Sequence, residues 1–271
     1  IIIFGIYLIS DLELSLGGLI AVVMLSSRAV SPMGQVATLI TQYHQTRAAY
    51  DTLDELMQRP VERSENKPYV RRPSFEGKID CKHMSFTYPE AQSASLEDIN
   101  ISIQPQEHVG IIGKVGSGKS SFAKLLMSLY EPTSGSLAID GININQIDPA
   151  DLRMNIGYLS QDVQLVNGTI RDNLIYRNPQ VSDERLLEVS KLCGVDQFVN
   201  RLPSGFDTQV GEQGVCLSGG QRQAIGLGRA MLLGESILVL DEPTSHMDNT
   251  TESQIRRNLF QYTRDKTLVL V

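Results

Sequence analysis

Residues 113–120 read GKVGSGKS, the strongest motif in the sequence. It matches the pattern G-x-x-x-x-G-K-[ST] in full. It lies between an apolar segment typical of a strand (residues 109–112) and a segment typical of a helix (residues 121–129). In that setting the glycines let backbone N–H groups surround phosphate oxygens at the start of a helix. The stretch therefore predicts a binding site for a nucleoside triphosphate.

Two side chains of this phosphate loop have distinct expected roles. Lys119 would reach the β- and γ-phosphates, and the Ser120 hydroxyl would bind Mg²⁺. The residues expected to contact the nucleotide run through the loop and one position beyond it: Gly113, Lys114, Val115, Gly116, Ser117, Gly118, Lys119, Ser120 and Ser121.

Around the loop, short apolar segments alternate with longer segments of helical pattern. The apolar segments read HVGIIG, NIGYLSQ, SILVLDE and TLVLV. This alternation is typical of a mostly parallel sheet flanked by helices. The predicted fold class is α/β, with the phosphate loop of a P-loop NTPase.

A second motif is the apolar segment at residues 236–242, which ends in two acids. Asp241 would hold Mg²⁺ from the carboxyl end of a strand, usually through water. The next residue, Glu242, is well placed as a general base that polarises the attacking water. Alone, the pattern also fits a strand end with solvated charges. Beside a phosphate loop, it predicts nucleotide hydrolysis.

A third motif, LSGGQ, occupies residues 217–221 and precedes a helical segment at residues 222–233. Two glycines and a serine at the start of a helix form a second anion-binding turn. One nucleotide needs only one phosphate loop. The second turn therefore suggests contact with another ATP, held by a partner.

Together, these motifs resemble the nucleotide-binding domain of an ATP-binding cassette (ABC) transporter, whose signature motif is LSGGQ. The resemblance covers residues 75–271. It implies ATP and Mg²⁺ as cofactors, and a second copy of the chain paired head to tail. Each ATP would lie between the phosphate loop of one copy and the signature motif of the other. The residues implied to contact the partner's ATP are Leu217, Ser218, Gly219, Gly220 and Gln221.

The same resemblance implies roles for three more residues. Tyr88, in SFTYPE, would stack on adenine; Gln161, in YLSQD, would sense Mg²⁺; Asp248, in SHMD, would couple the two ATP sites. The implied catalytic set is Glu242, Lys119 and Gln161, and the implied Mg²⁺ ligands are Ser120, Gln161 and Asp241.

The sequence also departs from the family pattern. The family has a switch histidine just after the strand that here occupies residues 267–271, where the sequence ends. We therefore expect a piece of a longer polypeptide, truncated before that histidine; His246 lies too early to match it. Gly226 and Gly228 occupy signature-helix positions where Ala is more usual, at a cost of about 1 kcal/mol each. Cys216, beside the signature motif, is expected to be a small buried hydrophobe rather than a redox-active thiol.

Residues 1–27 have a membrane-like composition, with only two charges, Asp11 and Glu13. Neither flanking apolar run reaches the roughly 20 residues that span a bilayer. The second can continue past Arg28 if that side chain snorkels. We expect the end of one transmembrane helix, a turn at residues 10–13 and a second helix. A buried hairpin of a soluble core is the alternative, and a secretory signal peptide fits poorly because no basic region precedes the apolar run.

An amphipathic stripe with spacings of three and four follows, from Val36 to Met57, and predicts that the second helix continues into water. Pro32 should kink it. Basic residues on the far side of the turn place that side in the cytoplasm. The predicted domains are residues 1–57 (the C-terminal part of a transmembrane domain), 58–74 (a linker) and 75–271 (the ABC nucleotide-binding domain).

Composition sets further limits. The 271 residues carry a formal net charge of −7, which argues against nucleic-acid binding by bulk electrostatics. The three cysteines, Cys81, Cys193 and Cys216, form neither a disulfide framework nor a metal pair and fit a reducing compartment.

A finer resemblance concerns the transporter class. The stretches SPMGQ, IDPADLR, GTIRDNL and SHMD look like those of bacterial type I secretion ATPases, which export proteins or peptides. This implies a multi-pass homodimer in the bacterial inner membrane, with its ATPase domain in the cytoplasm. A periplasmic adaptor and an outer-membrane channel would be further partners. A lipid or drug exporter, a soluble ABC ATPase and a non-hydrolysing nucleotide-binding regulatory module stay open as alternatives.

Overall fold

The computed structural model describes residues 1–59, 61–63 and 67–271. The chain divides into two compact units, residues 1–64 and 65–271. Each unit is described by itself.

The first unit contains two helices, α1 (Ile2–Ser10) and α2 (Leu16–Gln58). The Ser15 side chain caps α2 by accepting a hydrogen bond from the Gly18 amide at 3.1 Å. The two helices approach closely at Gly5, where an added Cβ would lie 2.2 Å from Leu19 Cδ1. The predicted helix–turn–helix is therefore present, with its connection at residues 11–15.

Helix α2 is 43 residues long and none of its residues is buried. At 1.5 Å per residue it would extend about 65 Å, roughly twice the hydrocarbon thickness of a bilayer. Among the described residues, α2 is the one helix long and apolar enough to cross a membrane. Pro32 lies inside this helix.

The second unit contains eight strands among its described residues. They are β1 (Ile79–Phe86), β2 (Leu96–Ile103), β3 (His108–Gly110), β4 (Ser134–Ile139), β5 (Ile142–Asn143), β6 (Ile156–Leu159), β7 (Ile237–Leu240) and β8 (Thr267–Leu270). Its α-helices are α3 (Lys119–Leu126), α4 (Pro149–Asn155), α5 (Ile170–Ile175), α6 (Asp183–Leu192), α7 (Val195–Val199), α8 (Gly219–Met231) and α9 (Asn249–Tyr262).

The strands form two sheets rather than one. A parallel sheet has the order β3-β8-β7-β6, and an antiparallel sheet has the order β2-β1-β4-β5. The α/β class is as predicted. The expectation of a mostly parallel arrangement overlooks the antiparallel sheet, whose strands pair through sequence-distant contacts that periodicity does not reveal.

The register of the parallel sheet aligns the ends of its strands. Leu240 of β7 pairs with Leu159 of β6 on one side and with Leu270 of β8 on the other, while Gly110 of β3 pairs with Leu270. The segments that follow β3, β6 and β7 therefore leave from one edge. This edge carries the phosphate loop, Gln161 and Asp241–Glu242.

Part of the predicted linker is attached to the second unit. The Val70 amide donates to the Gln146 carbonyl at 2.7 Å, and the Arg72 amide donates to the Asp151 carboxylate at 3.0 Å. Phe75 is buried in the core of this unit. Residues 70–75 are thus held within the second unit by hydrogen bonds and burial.

Candidate functional site

The phosphate loop connects β3 to α3. Gly118 caps α3 in the left-handed region (φ 86°), and this N-cap residue makes no side-chain hydrogen bond to the first turn. A Cβ at Gly118 would lie 2.3 Å from the Ser95 carbonyl oxygen, so the loop requires glycine there. The result is a helix start whose amides are available to an anion.

Lys119 lies over its own loop. Its Nζ donates to the carbonyl oxygens of Gly113 at 3.2 Å and Lys114 at 3.3 Å. The Ser117 amide closes the loop by donating to the Lys114 carbonyl at 3.1 Å, and Val115 at the tip is fully exposed. Short-range hydrogen bonds thus hold the phosphate loop, and the Lys119 ammonium group bonds to carbonyl oxygens of the same loop.

Tyr88 lies beside the first turn of α3. Its hydroxyl is 3.0 Å from Ser121 Oγ. The rings of Phe86 and Tyr130 meet it edge-on, with centroids 4.8 and 5.1 Å away. Ring contacts and the hydroxyl bond together fix the orientation of Tyr88 next to the phosphate loop.

Gln161 and Glu242, 81 positions apart in sequence, meet at the edge of the parallel sheet. Gln161 Nε2 donates to Glu242 Oε2 at 3.2 Å. Asp241 is only 3% exposed, whereas Glu242 is exposed. Burial, reinforced by the charge of Asp241, raises the pKa of Tyr158 to about 12. The exposed carboxylate of Glu242 thus contacts the amide predicted to bind Mg²⁺, and the buried carboxylate of Asp241 directly precedes Glu242 in the chain.

The predicted Mg²⁺ ligands are chemically suitable for this ion. Ser120, Gln161 and Asp241 supply a hydroxyl, an amide and a carboxylate oxygen, all hard donors. Mg²⁺ is usually bound through one or two carboxylates together with water and substrate phosphates. No group of three or more His, Cys, Asp or Glu side chains suited to a metal occurs within the described ranges. The edge of the parallel sheet therefore suits a Mg²⁺ site with few protein ligands.

The signature motif begins α8. Ser218 and Gln221 form a capping box, with Ser218 N donating to Gln221 Oε1 at 2.9 Å and Gln221 N donating to Ser218 Oγ at 3.3 Å. A Cβ at Gly220 would lie 2.8 Å from the His246 carbonyl oxygen. Leu217 is buried beneath the turn. The signature motif consequently packs directly on the loop that contains Asp248.

Asp248 caps α9. Its carboxylate accepts hydrogen bonds from the amides of Thr250 and Thr251 at 3.0 Å and from the Thr251 hydroxyl at 2.7 Å. The bonds from Thr251, with that from Thr250, hold the pKa of Asp248 below its usual range. The contacts of this side chain are thus with its own helix.

A protein-family model described as ABC transporter matches residues 96–245, more than half of the chain. The chain belongs to the ABC transporter family. The predicted family and fold class are confirmed, and membership supports ATP binding by the second unit.

Curated relatives of this ABC transporter chain are similar along nearly its whole length. The Toxin RTX-I translocation ATP-binding protein of Actinobacillus pleuropneumoniae is 36% identical over 98% of the chain, which covers 38% of that relative. The alpha-hemolysin translocation ATP-binding protein HlyB of Escherichia coli O157:H7 has the same identity and the same coverage. The chain therefore spans somewhat over a third of the length of these relatives.

A solved structure is similar in both fold and sequence. A bacterial Atm1-family ABC exporter with ATP bound superposes with a TM-score of 0.78 and 27% identity, over 95% of this chain and 45% of the other. The ABC domain and the preceding helices thus have a counterpart in an exporter.

The structure explains the two unusual glycines of α8. A Cβ at Gly226 would lie 2.8 Å from Leu159 Cδ1 and from both methyl groups of Val163, and one at Gly228 would lie 2.7 Å from Leu174 Cδ2. Their absent side chains allow α8 to pack closely on its neighbours. Cys216, expected to be buried, is exposed instead.

Sequence reasoning missed Gln223. It is 2% exposed, and its amide bonds to residues 242, 245 and 246. A signal was available, because Gln223 lies four positions before Leu227 and seven before Ala230, on the buried face of α8. A polar residue on an apolar helical stripe needs hydrogen-bond partners.

Proposed function

We propose that this chain is part of an ABC exporter that uses ATP to move a protein or peptide across the bacterial inner membrane. The observation that carries the proposal is the similarity to toxin translocation ATP-binding proteins, which extends over 98% of the chain. That similarity includes both the ATP-binding domain and the membrane-length helix α2.

Nucleotide binding would use the phosphate loop and Tyr88. The free amides at the start of α3 would bind phosphate oxygens, and Lys119 would exchange its carbonyl contacts for charge-assisted bonds to the β- and γ-phosphates. The ring of Tyr88 would stack on adenine. Mg²⁺, held by Ser120, Gln161 and Asp241, would neutralise phosphate charge.

Hydrolysis would depend on Glu242. Its carboxylate is exposed at the sheet edge and accepts a hydrogen bond from Gln161, so it can polarise a water molecule directed at the γ-phosphate. Gln161 would keep the carboxylate turned towards the nucleotide.

Two copies of the chain would complete each site. Among the described residues, no hydrogen bond joins the phosphate loop to the signature motif, which suits an ATP shared between copies paired head to tail. Ser218 and Gly220, at the start of α8, would contact the γ-phosphate bound by the partner copy. Asp248 would couple the two sites.

Closure of this dimer on ATP would favour an outward-open transporter, and hydrolysis would reset it. We propose that residues 1–57 belong to a multi-pass transmembrane domain, that residues 58–74 are a linker, and that residues 75–271 form the ABC domain in the cytoplasm. A periplasmic adaptor and an outer-membrane channel are proposed as further partners.

Comparison of secreted proteins tests this function. A strain carrying Lys119→Ala in the full-length gene should lose at least one protein from its culture supernatant, and the wild-type gene supplied in trans should restore it. An unchanged supernatant, together with altered drug sensitivity or lipid composition, would replace the proposal by a lipid or drug exporter.

A further inference from the structure

Gln223 links the signature helix to the end of β7. Its side-chain amide donates to the Glu242 carbonyl and, at 3.2 Å, to Ser245 Oγ. Its amide oxygen accepts a hydrogen bond from the His246 backbone N–H at 3.1 Å. One buried side chain therefore holds both ends of the segment from Glu242 to His246.

The backbone of Glu242 needs such support. Its φ of 48° lies in the left-handed region, which a non-glycine residue keeps only when its surroundings impose it. The Glu242 amide donates to the Val271 carbonyl at 3.0 Å, and the Glu242 carbonyl accepts from Gln223 and, at 3.2 Å, from Ser245 Oγ. These bonds fix the direction in which the carboxylate leaves the backbone, towards Gln161.

The same helix begins with the signature motif. Ser218 caps α8 and Gln223 lies five residues further along, so one rigid segment connects the signature turn to the Glu242 carbonyl. Asp248 lacks this connection, since its carboxylate bonds to the start of α9.

We propose that Gln223 is a positioning residue that transmits the position of the signature helix to Glu242. Hydrolysis of the ATP bound by one copy then depends on the contact of that copy's signature motif with the other ATP. The inference rests on the proposed function, in which Glu242 polarises water and Ser218 contacts the partner-bound ATP.

Gln223→Met tests the link in the full-length transporter reconstituted in lipid vesicles. Methionine has a similar shape and good helix propensity, but it cannot make the three hydrogen bonds. We expect kcat for ATP to fall at least tenfold while KM stays within twofold, because nucleotide binding does not use this residue. A kcat within twofold of wild type overturns the inference.

Asn155→Leu is the matched control for loss of a buried amide. Asn155 is 8% exposed, donates to the Pro73 and Asp151 carbonyls at 3.2 and 2.9 Å, and precedes β6 at the end opposite Gln161. The Asn155→Leu variant should have a lower thermal midpoint than wild type but a kcat within twofold of wild type. An equal kcat loss in both variants would reduce Gln223 to a structural role and overturn the inference.

A second variant guards against a folding failure of Gln223→Met. Gln223→Glu keeps an acceptor for the His246 amide and removes the donor to Glu242. It should show the same loss of kcat at unchanged KM, and wild-type turnover would count against the proposal.

A double-mutant cycle with Ser218→Ala tests transmission. If Gln223 carries the effect of the signature motif, the double variant is no slower than the slower single variant; multiplied losses overturn transmission. Glu242→Gln, measured alongside, separates the role of Glu242 in hydrolysis from the link through Gln223. Full turnover in Glu242→Gln removes the proposed role of Glu242 in hydrolysis, and this inference with it. Loss there with normal turnover in Gln223→Met removes this inference only.

Discussion

Gly226 is where the packing of α8 can be tested most sharply. Replacing it with alanine adds one methyl group to a helix interior, and helix propensity alone favours alanine by about 1 kcal/mol. The new Cβ would lie 2.8 Å from Leu159 Cδ1 and from both methyl groups of Val163. Overpacking a core by such an amount costs about 1–3 kcal/mol.

The shape of Val163 decides which term wins. Rotation about χ1 is restricted in a β-branched side chain, so Val163 cannot easily move both methyl groups away at once. We therefore expect Gly226→Ala to destabilise the fold by about 1 kcal/mol net. Gly228→Ala is the matched control, because the single close atom there is the flexible end of Leu174. Gly228→Ala should be close to neutral, because the gain in helix propensity offsets the shift of one buried Leu174 methyl group.

The assay is the thermal midpoint of the full-length protein in detergent. In a domain of this size, 1 kcal/mol shifts the midpoint by about 2–4 °C, so the midpoints of the two variants should differ by about that amount. Val163 lies two residues after Gln161, so Gly226→Ala should also lower ATP turnover more than Gly228→Ala. If the midpoint of Gly226→Ala were as high as that of Gly228→Ala, the steric argument would be refuted.

Two other substitutions test separate contacts. Tyr88→Ala should raise KM for ATP about tenfold, since aromatic stacking on a base contributes about 1–3 kcal/mol; Tyr88→Phe, which loses only the bond to Ser121, should stay within threefold, and equal KM values for both would argue against stacking. The lowered pKa of Asp248 means that its carboxylate stabilises the fold above the ordinary aspartate pKa of about 3.9, an effect lost on acidification. Asp248→Ala should therefore lower the thermal midpoint at neutral pH, and the deficit should shrink towards pH 3; a deficit independent of pH would contradict capping by the charged form.

Local motifs made much of the site predictable. The phosphate loop and the acids at residues 241–242 each directly follow a strand. Apolar runs in the sequence show where those strands end. The parallel register then brings Gln161 to Glu242, as expected for segments that leave one edge of a sheet.

Contacts between distant segments were beyond sequence reasoning. The antiparallel sheet depends on pairing between β1 and β4, whose spacing along the chain has no motif. Helix propensity marks Gly226 only as a weak helix residue, and its close packing against Val163 is a contact between segments 63 residues apart. The position of Gln223 on the buried face of α8 indicates that it needs hydrogen-bond partners, but their identity depends on the packing of α8 on the loop after β7.

ATP turnover by Glu242→Gln in the full-length transporter tests the central claim most directly. The substitution keeps the size of the side chain and leaves an amide oxygen that can still accept the hydrogen bond from Gln161, but it removes the carboxylate. With ATP affinity measured on the same sample, we predict binding within threefold of wild type and a loss of turnover of at least about 100-fold, consistent with general-base catalysis. Turnover close to wild type, with normal ATP binding, would contradict the account.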